Sequence, residues 1–295
     1  MRKRILILGG SYFIGRVFSI MADKSGQYDI SLVNRGRFPL KRPSIREYVF
    51  DRRDPALQTA LKTEEPWDAL VDFCAYEEGD GRIITLLKDK IRQYIGISSC
   101  AVFAPSRELR NEESPFLTGP SQNPAEEYAL KKMRLEGEIR DVCASSGLPY
   151  TILRPCFVFG PFNYALRESF YFKRMLEGCP IPHPFDSRSE FSFVYVRDTA
   201  RAIMASAGNP RAYHQSFNLA GPERISYRVL LEVLRFLVGK NPLPVEEITT
   251  ARALEEQIPL PFPLDQNELF DGTMAEKMLG LRYTGFREGM EEAFS

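Results

Sequence analysis

The chain has 295 residues, of which 44% are apolar and 26% are charged, and its formal net charge is zero. This composition is typical of a globular protein with a sizeable core, and the length allows one large domain or a main domain with a smaller one. A neutral chain without a basic block makes nucleic acids and anionic membranes poor partners.

The first sixteen residues carry the strongest local pattern. Residues 5–8 predict a short apolar strand, Gly9 and Gly10 predict a tight turn, and residues 13–24 predict a helix. Backbone N–H groups and the positive end of the helix dipole converge after such a turn, and glycine lets a phosphate approach the backbone closely. The pattern predicts a nucleotide-phosphate site, and an ordinary strand–turn–helix connection is the alternative.

The N-terminus does not predict a secretory signal, because its apolar run ends after four residues at the two glycines. No stretch approaches the roughly eighteen apolar residues that a membrane span needs. The five cysteines are odd in number and lack CxxC spacing, so neither a zinc site nor a disulfide framework is expected. These observations predict a cytoplasmic protein that uses no metal.

Strand-like and helix-like runs alternate over the first 155 residues or so. After the first strand, the predicted strands are residues 28–33, 47–50, 69–75, 93–98 and 149–153, and after the first helix, the predicted helices are residues 55–63, 80–89 and 124–146. This alternation predicts an α/β fold with right-handed crossovers and a doubly wound parallel sheet.

The pattern changes after Pro155, where proline and phenylalanine become frequent. The predicted strands are residues 191–196 and 217–220, and helices are predicted to start at Asp198–Thr199 and to cover residues 226–238, 273–279 and 286–294. We expect a nucleotide-binding domain over residues 1–160 and a smaller substrate-binding lobe over residues 161–295, with segments that return to the main sheet. The lobe should cover the carboxyl edge of the sheet, where open α/β sheets bind ligands.

Tyr128 and Lys132 lie four residues apart in the predicted helix 124–146, and therefore share one helix face. An ammonium one turn away favours the phenolate, so we expect Lys132 to lower the pKa of Tyr128 and make the phenol a proton carrier. Ser98 and Ser99 close the fifth strand, where a hydroxyl can hold a substrate oxygen. A solvated helix face and a polar strand end are the alternatives.

Several motifs follow one another in a characteristic order. They are LGGSYFIG, the turn DRRD at 51–54, SSCAVF, Tyr128-x3-Lys132, LRPCFVFGP, FVYVRDTARAI and SFNLAGPE. Together they resemble the extended short-chain dehydrogenase/reductase family, the NAD-dependent epimerase/dehydratase group. The resemblance implies a Rossmann-type fold and an NAD(P)-dependent oxidoreductase or epimerase. Its substrate would be a small molecule with a hydroxyl or carbonyl group, such as a nucleotide sugar.

The resemblance also assigns roles to residues of this chain. Ser99, Tyr128 and Lys132 match the catalytic Ser-Tyr-Lys triad of the family. The residues implied to bind the cofactor are Gly9, Gly10, Tyr12, Phe13, Ile14, Gly15, Asp51, Arg52, Ala75 and Pro155.

Two positions depart from the family pattern. Tyr12 replaces the middle glycine of GxxGxxG, where its side chain could crowd the pyrophosphate or cover it. Asn34, followed by Arg35, replaces the acid that binds the ribose 2′-hydroxyl, and an arginine there can pair with a 2′-phosphate. Asn34 and Arg35 are therefore predicted to bind the cofactor and favour NADP, with NAD as the alternative.

Two other functions stay open. The turn GGSYFIG resembles that of an atypical branch that includes chloroplast stem-loop RNA-binding proteins, although the neutral charge disfavours RNA. A dinucleotide-sensing regulator without turnover is the other alternative. The resemblance also suggests a homodimer packed through the helices at 80–89 and 124–146.

Overall fold

The computed structural model describes residues 2–295. The strands in chain order are β1 (Lys3–Leu8), β2 (Tyr28–Asn34), β3 (Ile45–Val49), β4 (Ala69–Asp72), β5 (Tyr94–Ile97), β6 (Tyr150–Pro155), β7 (Phe157–Phe159), β8 (Ile181–Pro184), β9 (Glu190–Phe191), β10 (Phe193–Tyr195), β11 (Gln215–Leu219), β12 (Ile225–Ser226) and β13 (Val245–Ile248).

The helices in chain order are α1 (Phe13–Ser25), α2 (Pro55–Lys62), α3 (Arg82–Leu87), α4 (Pro124–Ser146), α5 (Glu168–Glu177), α6 (Val196–Ser206), α7 (Tyr227–Val238), α8 (Thr250–Glu255), α9 (Thr273–Leu279) and α10 (Phe286–Phe294). Two short 3₁₀ turns lie at Cys100–Val102 and Pro210–Ala212.

The centre of the molecule is a seven-stranded parallel sheet with the order β11-β6-β5-β4-β1-β2-β3. Side chains of β1 alternate between its faces, because Ile5 and Ile7 pack with α1 and α6, whereas Leu6 and Leu8 pack with α2, α3 and α4. Helices therefore cover both faces, which confirms the predicted Rossmann-type α/β fold.

The second half of the chain builds small two-stranded sheets beside the main one. They pair β7 with β10, β8 with β13, and β9 with β12. Their apolar side chains belong to the same core as one face of the main sheet, and phenylalanine rings dominate that junction, as in the contact of Phe193 with Phe286 at 4.8 Å. Segments α6 and β11 return to the main sheet, whereas the predicted division at residue 160 stays a prediction.

Several element predictions in this half were wrong in detail. The run 191–196 forms two strands instead of one, because Ser192 interrupts the ladder and its hydroxyl accepts a hydrogen bond from the Phe270 N–H at 3.0 Å. Helix α6 starts at Val196 rather than at Asp198. Helices α5 and α8 and the β8–β13 pair were not predicted.

Candidate active site

A cleft of about 800 Å³ lies at the carboxyl edge of the sheet, at the boundary between the neighbouring strands β1 and β4. From β1 the strand order continues to β2 and β3 on one side, and from β4 it continues to β5 and β6 on the other. Crossover connections leave in opposite directions at this point, which is where open α/β sheets bind ligands. Loops that follow β1, β2, β3, β4, β5 and β6 all contribute lining residues. The volume is within the range of small-molecule sites.

The glycine turn after β1 forms one end of the cleft. Gly9 has a φ of +77°, in the left-handed region that favours glycine. Helix α1 starts so close to the turn that a Cβ on Gly15 would lie 2.8 Å from the Gly10 Cα. The cap residue Tyr12 makes no side-chain hydrogen bond to the start of α1, so the first N–H groups of the helix keep their capacity for an anion. The turn therefore fits a pyrophosphate.

The ring of Tyr12 lies beside the turn and lines the cleft. It stacks between Phe38 and Tyr164, with ring centroids 5.0 and 4.9 Å away, respectively. The three rings come from the turn after β1, the loop after β2 and the loop between β7 and α5, and we call them the aromatic stack. All three line the cleft.

At the end of β2, the side chain of Asn34 forms hydrogen bonds with other groups of the protein. Its side-chain N–H donates to Glu47 at 2.9 Å, and its oxygen accepts from the Gly36 N–H at 2.6 Å. The neighbouring Arg35 and Arg37 are exposed and line the cleft, and neither has a carboxylate within 4.0 Å among residues 2–295. This corner therefore presents two free guanidinium groups.

Asp51 and Arg52 lie after β3 and differ in their surroundings. Asp51 is exposed, and its carboxylate accepts from the Arg53 N–H at 2.9 Å. Arg52 makes a bidentate pair with the buried Asp72 at 3.0 and 2.9 Å, and also donates to the Asp80 carbonyl. Arg52 thus braces the wall of the cleft, and its donors are used by protein acceptors.

The opposite end of the cleft holds Ser99, Tyr128 and Lys132. Helix α4 begins where the Asn123 side chain accepts from the Glu126 N–H, with Pro124 in the first turn, and ends at Gly147 with a φ of +61°. A buried bidentate pair between Arg154 of β6 and Glu136 of α4, at 2.9 and 2.6 Å, sets the helix on the sheet. The predicted catalytic residues are therefore brought together.

Lys132 is buried beneath Tyr128. Its ammonium donates to the carbonyl oxygens of Ala75 at 2.6 Å and Ile97 at 3.0 Å, which leaves one N–H for the cleft. Burial lowers the pKa of Lys132 to about 8, although the nearby Asp72 opposes the shift.

The pKa of Tyr128 was expected to be lowered, but the structure raises it. Partial burial is the main cause, and the neighbouring Tyr164 adds to it, whereas the Ser99 hydroxyl and the charge of Arg167 act in the opposite direction. The Lys132 ammonium lies 5.9 Å from the centre of the Tyr128 ring and is directed at two carbonyls. Lys132 alone therefore does not make Tyr128 a phenolate.

Most of the residues predicted for the site line this one cleft. They are Gly9, Tyr12, Phe13, Ile14, Gly15, Asn34, Arg35, Asp51, Arg52, Ser99, Tyr128, Lys132 and Pro155. Gly10 packs behind the turn, and Ala75 is buried and contributes its carbonyl to Lys132. Sequence reasoning missed Phe38, Tyr76 and Tyr164. Phe38 and Tyr76 follow predicted strands, which could have indicated them, whereas Tyr164 follows β7, which was not predicted.

Two further findings concern the described chain. Among residues 2–295, no group of three His, Cys, Asp or Glu side chains is placed to hold a metal ion. Within the same residues, no helix combines the length and apolarity that crossing a bilayer requires.

Comparisons with known proteins agree with the architecture. The family model "NAD dependent epimerase/dehydratase family" matches residues 5–220. Among solved structures, UDP-N-acetylglucosamine 4-epimerase from Methanobrevibacter ruminantium covers 99% of this chain and 97% of its own, at 19% identity and a TM-score of 0.80. UDP-glucuronic acid 4-epimerase from Bacillus cereus, solved in complex with NAD, covers 99% and 95% at 18% identity and a TM-score of 0.78.

Curated sequences match at higher identity but over shorter parts of the chain. The chloroplast stem-loop binding protein of 41 kDa b from Arabidopsis thaliana is 28% identical over 239 residues, which are 76% of this chain and 60% of that protein. UDP-glucose 4-epimerase from Vibrio cholerae is 25% identical over 159 residues, 52% of this chain and 47% of that protein. The chain thus spans about half to three fifths of the length of these relatives.

Proposed function

This chain belongs to the NAD-dependent epimerase/dehydratase family, and we propose that it is an oxidoreductase or epimerase that acts at a hydroxyl- or carbonyl-bearing carbon, with a nucleotide sugar as a candidate substrate. The observation that carries the proposal is the convergence of Ser99, Tyr128 and Lys132 in a cleft whose far end is the glycine turn. Nucleotide-sugar epimerases among the similar proteins support the substrate class.

In the proposed reaction, a bound nicotinamide dinucleotide would supply the hydride acceptor and donor. Gly9, Gly15 and the start of α1 would hold its pyrophosphate. The Ser99 hydroxyl holds the substrate oxygen, and the Tyr128 Oη takes its proton during oxidation and returns it during reduction. The remaining N–H of Lys132 favours negative charge at this end of the cleft.

The raised pKa of Tyr128 has a consequence for this role. The free protein keeps the phenol protonated at neutral pH, so Tyr128 starts as a proton donor unless a further positive charge enters the cleft. The charge of a bound oxidised nicotinamide is of the required sign.

We further propose NADP as the preferred cofactor. Support comes from Arg35 and Arg37, which lie on the cleft without carboxylate partners among residues 2–295, and from the amide of Asn34 in place of a repelling acid. NAD is the alternative, and NAD appears in the complexes of structurally similar epimerases. The homodimer through α3 and α4 also stays a prediction.

The proposal is tested by denaturing purified protein and identifying any released dinucleotide by mass and absorbance, followed by titration with NAD and NADP. Tyr128→Phe should keep the dinucleotide affinity and abolish turnover of UDP-sugars, because the change removes a proton carrier and leaves the binding contacts. Tyr213→Phe, outside the cleft, is the matched control. A protein that neither carries nor binds a dinucleotide would contradict the proposal.

RNA binding is a second candidate, supported by the similarity to the chloroplast stem-loop binding protein. A formal net charge of zero disfavours it. Binding of a structured RNA should be measured at several salt concentrations, because phosphate contacts impose a steep salt dependence. RNA affinity that survives Tyr128→Phe, together with absent dinucleotide binding, would favour this alternative.

A further inference from the structure

Tyr76, in the loop after β4, contacts the Lys132 ammonium. The Lys132 Nζ lies over the Tyr76 ring, 4.7 Å from its centre, whereas the centre of the Tyr128 ring is 5.9 Å away. The negative face of an aromatic ring attracts an ammonium at such distances, and the attraction grows where water is excluded. Lys132 is 3% exposed, so the contact lies in such an environment. Tyr76 is therefore the nearer aromatic partner of this buried charge.

The segment that carries Tyr76 contacts Lys132 in two ways. The Ala75 carbonyl accepts from Nζ at 2.6 Å, and the next residue supplies the ring. The Tyr76 N–H donates to the Asp80 carboxylate at 2.9 Å, which fixes the backbone beside the ring. Partial burial raises the pKa of Tyr76, so its phenol is neutral and acts on Lys132 through the ring face.

The acidic groups around Lys132 do not replace the ring as its partner. Those whose charge acts on Lys132 are Asp72, Glu136, Asp80 and the Cys74 thiol. Each of the three carboxylates pairs with an arginine, and among residues 2–295 none forms an ion pair with Lys132. The thiol is uncharged at neutral pH, because burial raises the pKa of Cys74 to about 12. The phenol of Tyr128 is protonated as well, because its pKa is raised.

We propose that Tyr76 is a positioning residue of the catalytic end, whose ring face keeps the Lys132 ammonium charged and directed beneath Tyr128. Its consequence for turnover rests on the proposed function, in which Lys132 favours negative charge at this end of the cleft. Burial already lowers the pKa of Lys132 to about 8, so a small further fall would leave much of Lys132 uncharged at neutral pH.

The test measures the charge of Lys132 directly, in protein labelled with carbon-13 at the lysine Cε atoms. Titration followed by nuclear magnetic resonance gives the pKa of each lysine, and Lys132→Met identifies the resonance. Tyr76→Leu should lower the pKa of Lys132 from about 8 to about 7, which reduces its charged fraction roughly threefold at about pH 7.5. Tyr76→Phe keeps the ring and should leave the pKa unchanged.

Pentafluorophenylalanine in place of Tyr76 separates the charge distribution of the ring from its shape. Fluorine removes the negative potential of the ring face and keeps a ring of similar size, so this protein should show the same fall in the Lys132 pKa as Tyr76→Leu. It also decides the question if Tyr76→Leu does not fold. Tyr213→Leu, outside the cleft, is the control and should change nothing.

Two results of the titrations would overturn the inference. One is an unchanged Lys132 pKa in the fluorinated protein, which would show that the ring face does not hold the charge. The other is a fall in Tyr76→Phe as large as in Tyr76→Leu, which would assign the effect to the hydroxyl.

The pH profile of turnover is the second readout, with UDP-glucose as the probe. We expect kcat to fall as the pH rises through the pKa of Lys132, and in Tyr76→Leu this fall should begin about one pH unit lower, with rescue in Tyr76→Phe. An unshifted profile in Tyr76→Leu would overturn the positioning role. The resonance titration needs neither dinucleotide nor substrate, so it still decides the contact if wild type binds no dinucleotide and the proposed function fails.

Discussion

At the scale of single residues, Lys132 combines a buried charge with a depressed pKa. Its pKa falls from 10.5 to about 8 in the folded chain. Below pH 8 the folded and unfolded states both hold the proton, and the cost of burying the ammonium is fully present. Between pH 8 and 10.5 the unfolded state binds more protons, so the contribution of Lys132 to stability rises with pH.

Lys132→Met removes this dependence. The stability of wild type relative to the variant should therefore increase by roughly 3 kcal/mol between about pH 7 and pH 10.5. Urea unfolding at a series of pH values measures the difference. Lys131→Met is the control, because Lys131 lies on the same helix, half-buried, in a pair with Glu127 at 3.0 Å. A pH-independent difference for Lys132→Met would contradict the prediction.

We expect the choice between NADP and NAD to depend on a second set of residues, Arg35 and Arg37. If Arg35 pairs with a 2′-phosphate, Arg35→Ala should weaken NADP binding about ten- to a hundredfold and leave NAD nearly unchanged. Titration of both dinucleotides provides the measurement, and Arg37→Ala shows whether the neighbouring arginine shares the role. Equal losses for NAD and NADP would mean that Arg35 does not bind the phosphate.

Asn34→Asp is a less direct test of cofactor choice than Arg35→Ala, because Asn34 forms hydrogen bonds inside the protein. The new carboxylate would replace an amide that donates to Glu47 at 2.9 Å, and Glu47 also accepts from the Leu40 and Lys41 N–H groups. Repulsion between two carboxylates would disturb the loop that carries Arg35. This variant therefore tests loop integrity as well as cofactor choice.

At the scale of secondary-structure elements, α4 depends on its pair with the sheet. Glu136→Gln should lower the free energy of unfolding by about 3–5 kcal/mol, because Arg154 would stay buried with an uncompensated charge. Urea unfolding checks this value. The double variant Glu136→Leu/Arg154→Met should recover much of the loss, since it buries no charge. A double variant as unstable as Glu136→Gln would point to packing instead of charge.

The same elements show what the sequence could predict. Helix α4 was predicted with its bounds because Asn123, Pro124 and Gly147 are local signals. The pairing of β8 with β13 was missed, since its partners lie about 60 residues apart and each is short. The aromatic stack was missed for a similar reason, because Tyr12, Phe38 and Tyr164 come together only when three loops meet.

At the scale of the whole molecule, one apolar core joins the main sheet to the lobe. We therefore expect a single cooperative unfolding transition. Trp67 provides a local probe of the main sheet, because it is the only tryptophan and is fully buried in the core between the sheet and helices α2, α3 and α4. Its fluorescence and far-ultraviolet circular dichroism should give the same midpoint, and two separated midpoints would show that the lobe unfolds on its own.

Gly289→Ala, a substitution in the lobe, tests whether the lobe and the main sheet unfold together. A Cβ there would lie 2.8 Å from the Phe159 ring, so the variant should lose about 1–3 kcal/mol although alanine favours helix. Both probes should shift together. Gly137→Ala in α4 is the control, because nothing lies within 4 Å of its added Cβ, and it should be neutral or slightly stabilising.

The aromatic stack bears on the rate at which a bound dinucleotide is released, as well as on its affinity. If a dinucleotide binds under Tyr12, rings from three loops would have to separate before it leaves, so we expect its release to be slow compared with a turnover. Tyr12→Gly, which restores the family glycine, should speed the exchange of bound for labelled dinucleotide, measured by rapid gel filtration. A dinucleotide that outlasts many turnovers must be returned to its starting redox state within each cycle, and exchange as fast in wild type as in Tyr12→Gly would instead allow the enzyme to consume it as a co-substrate.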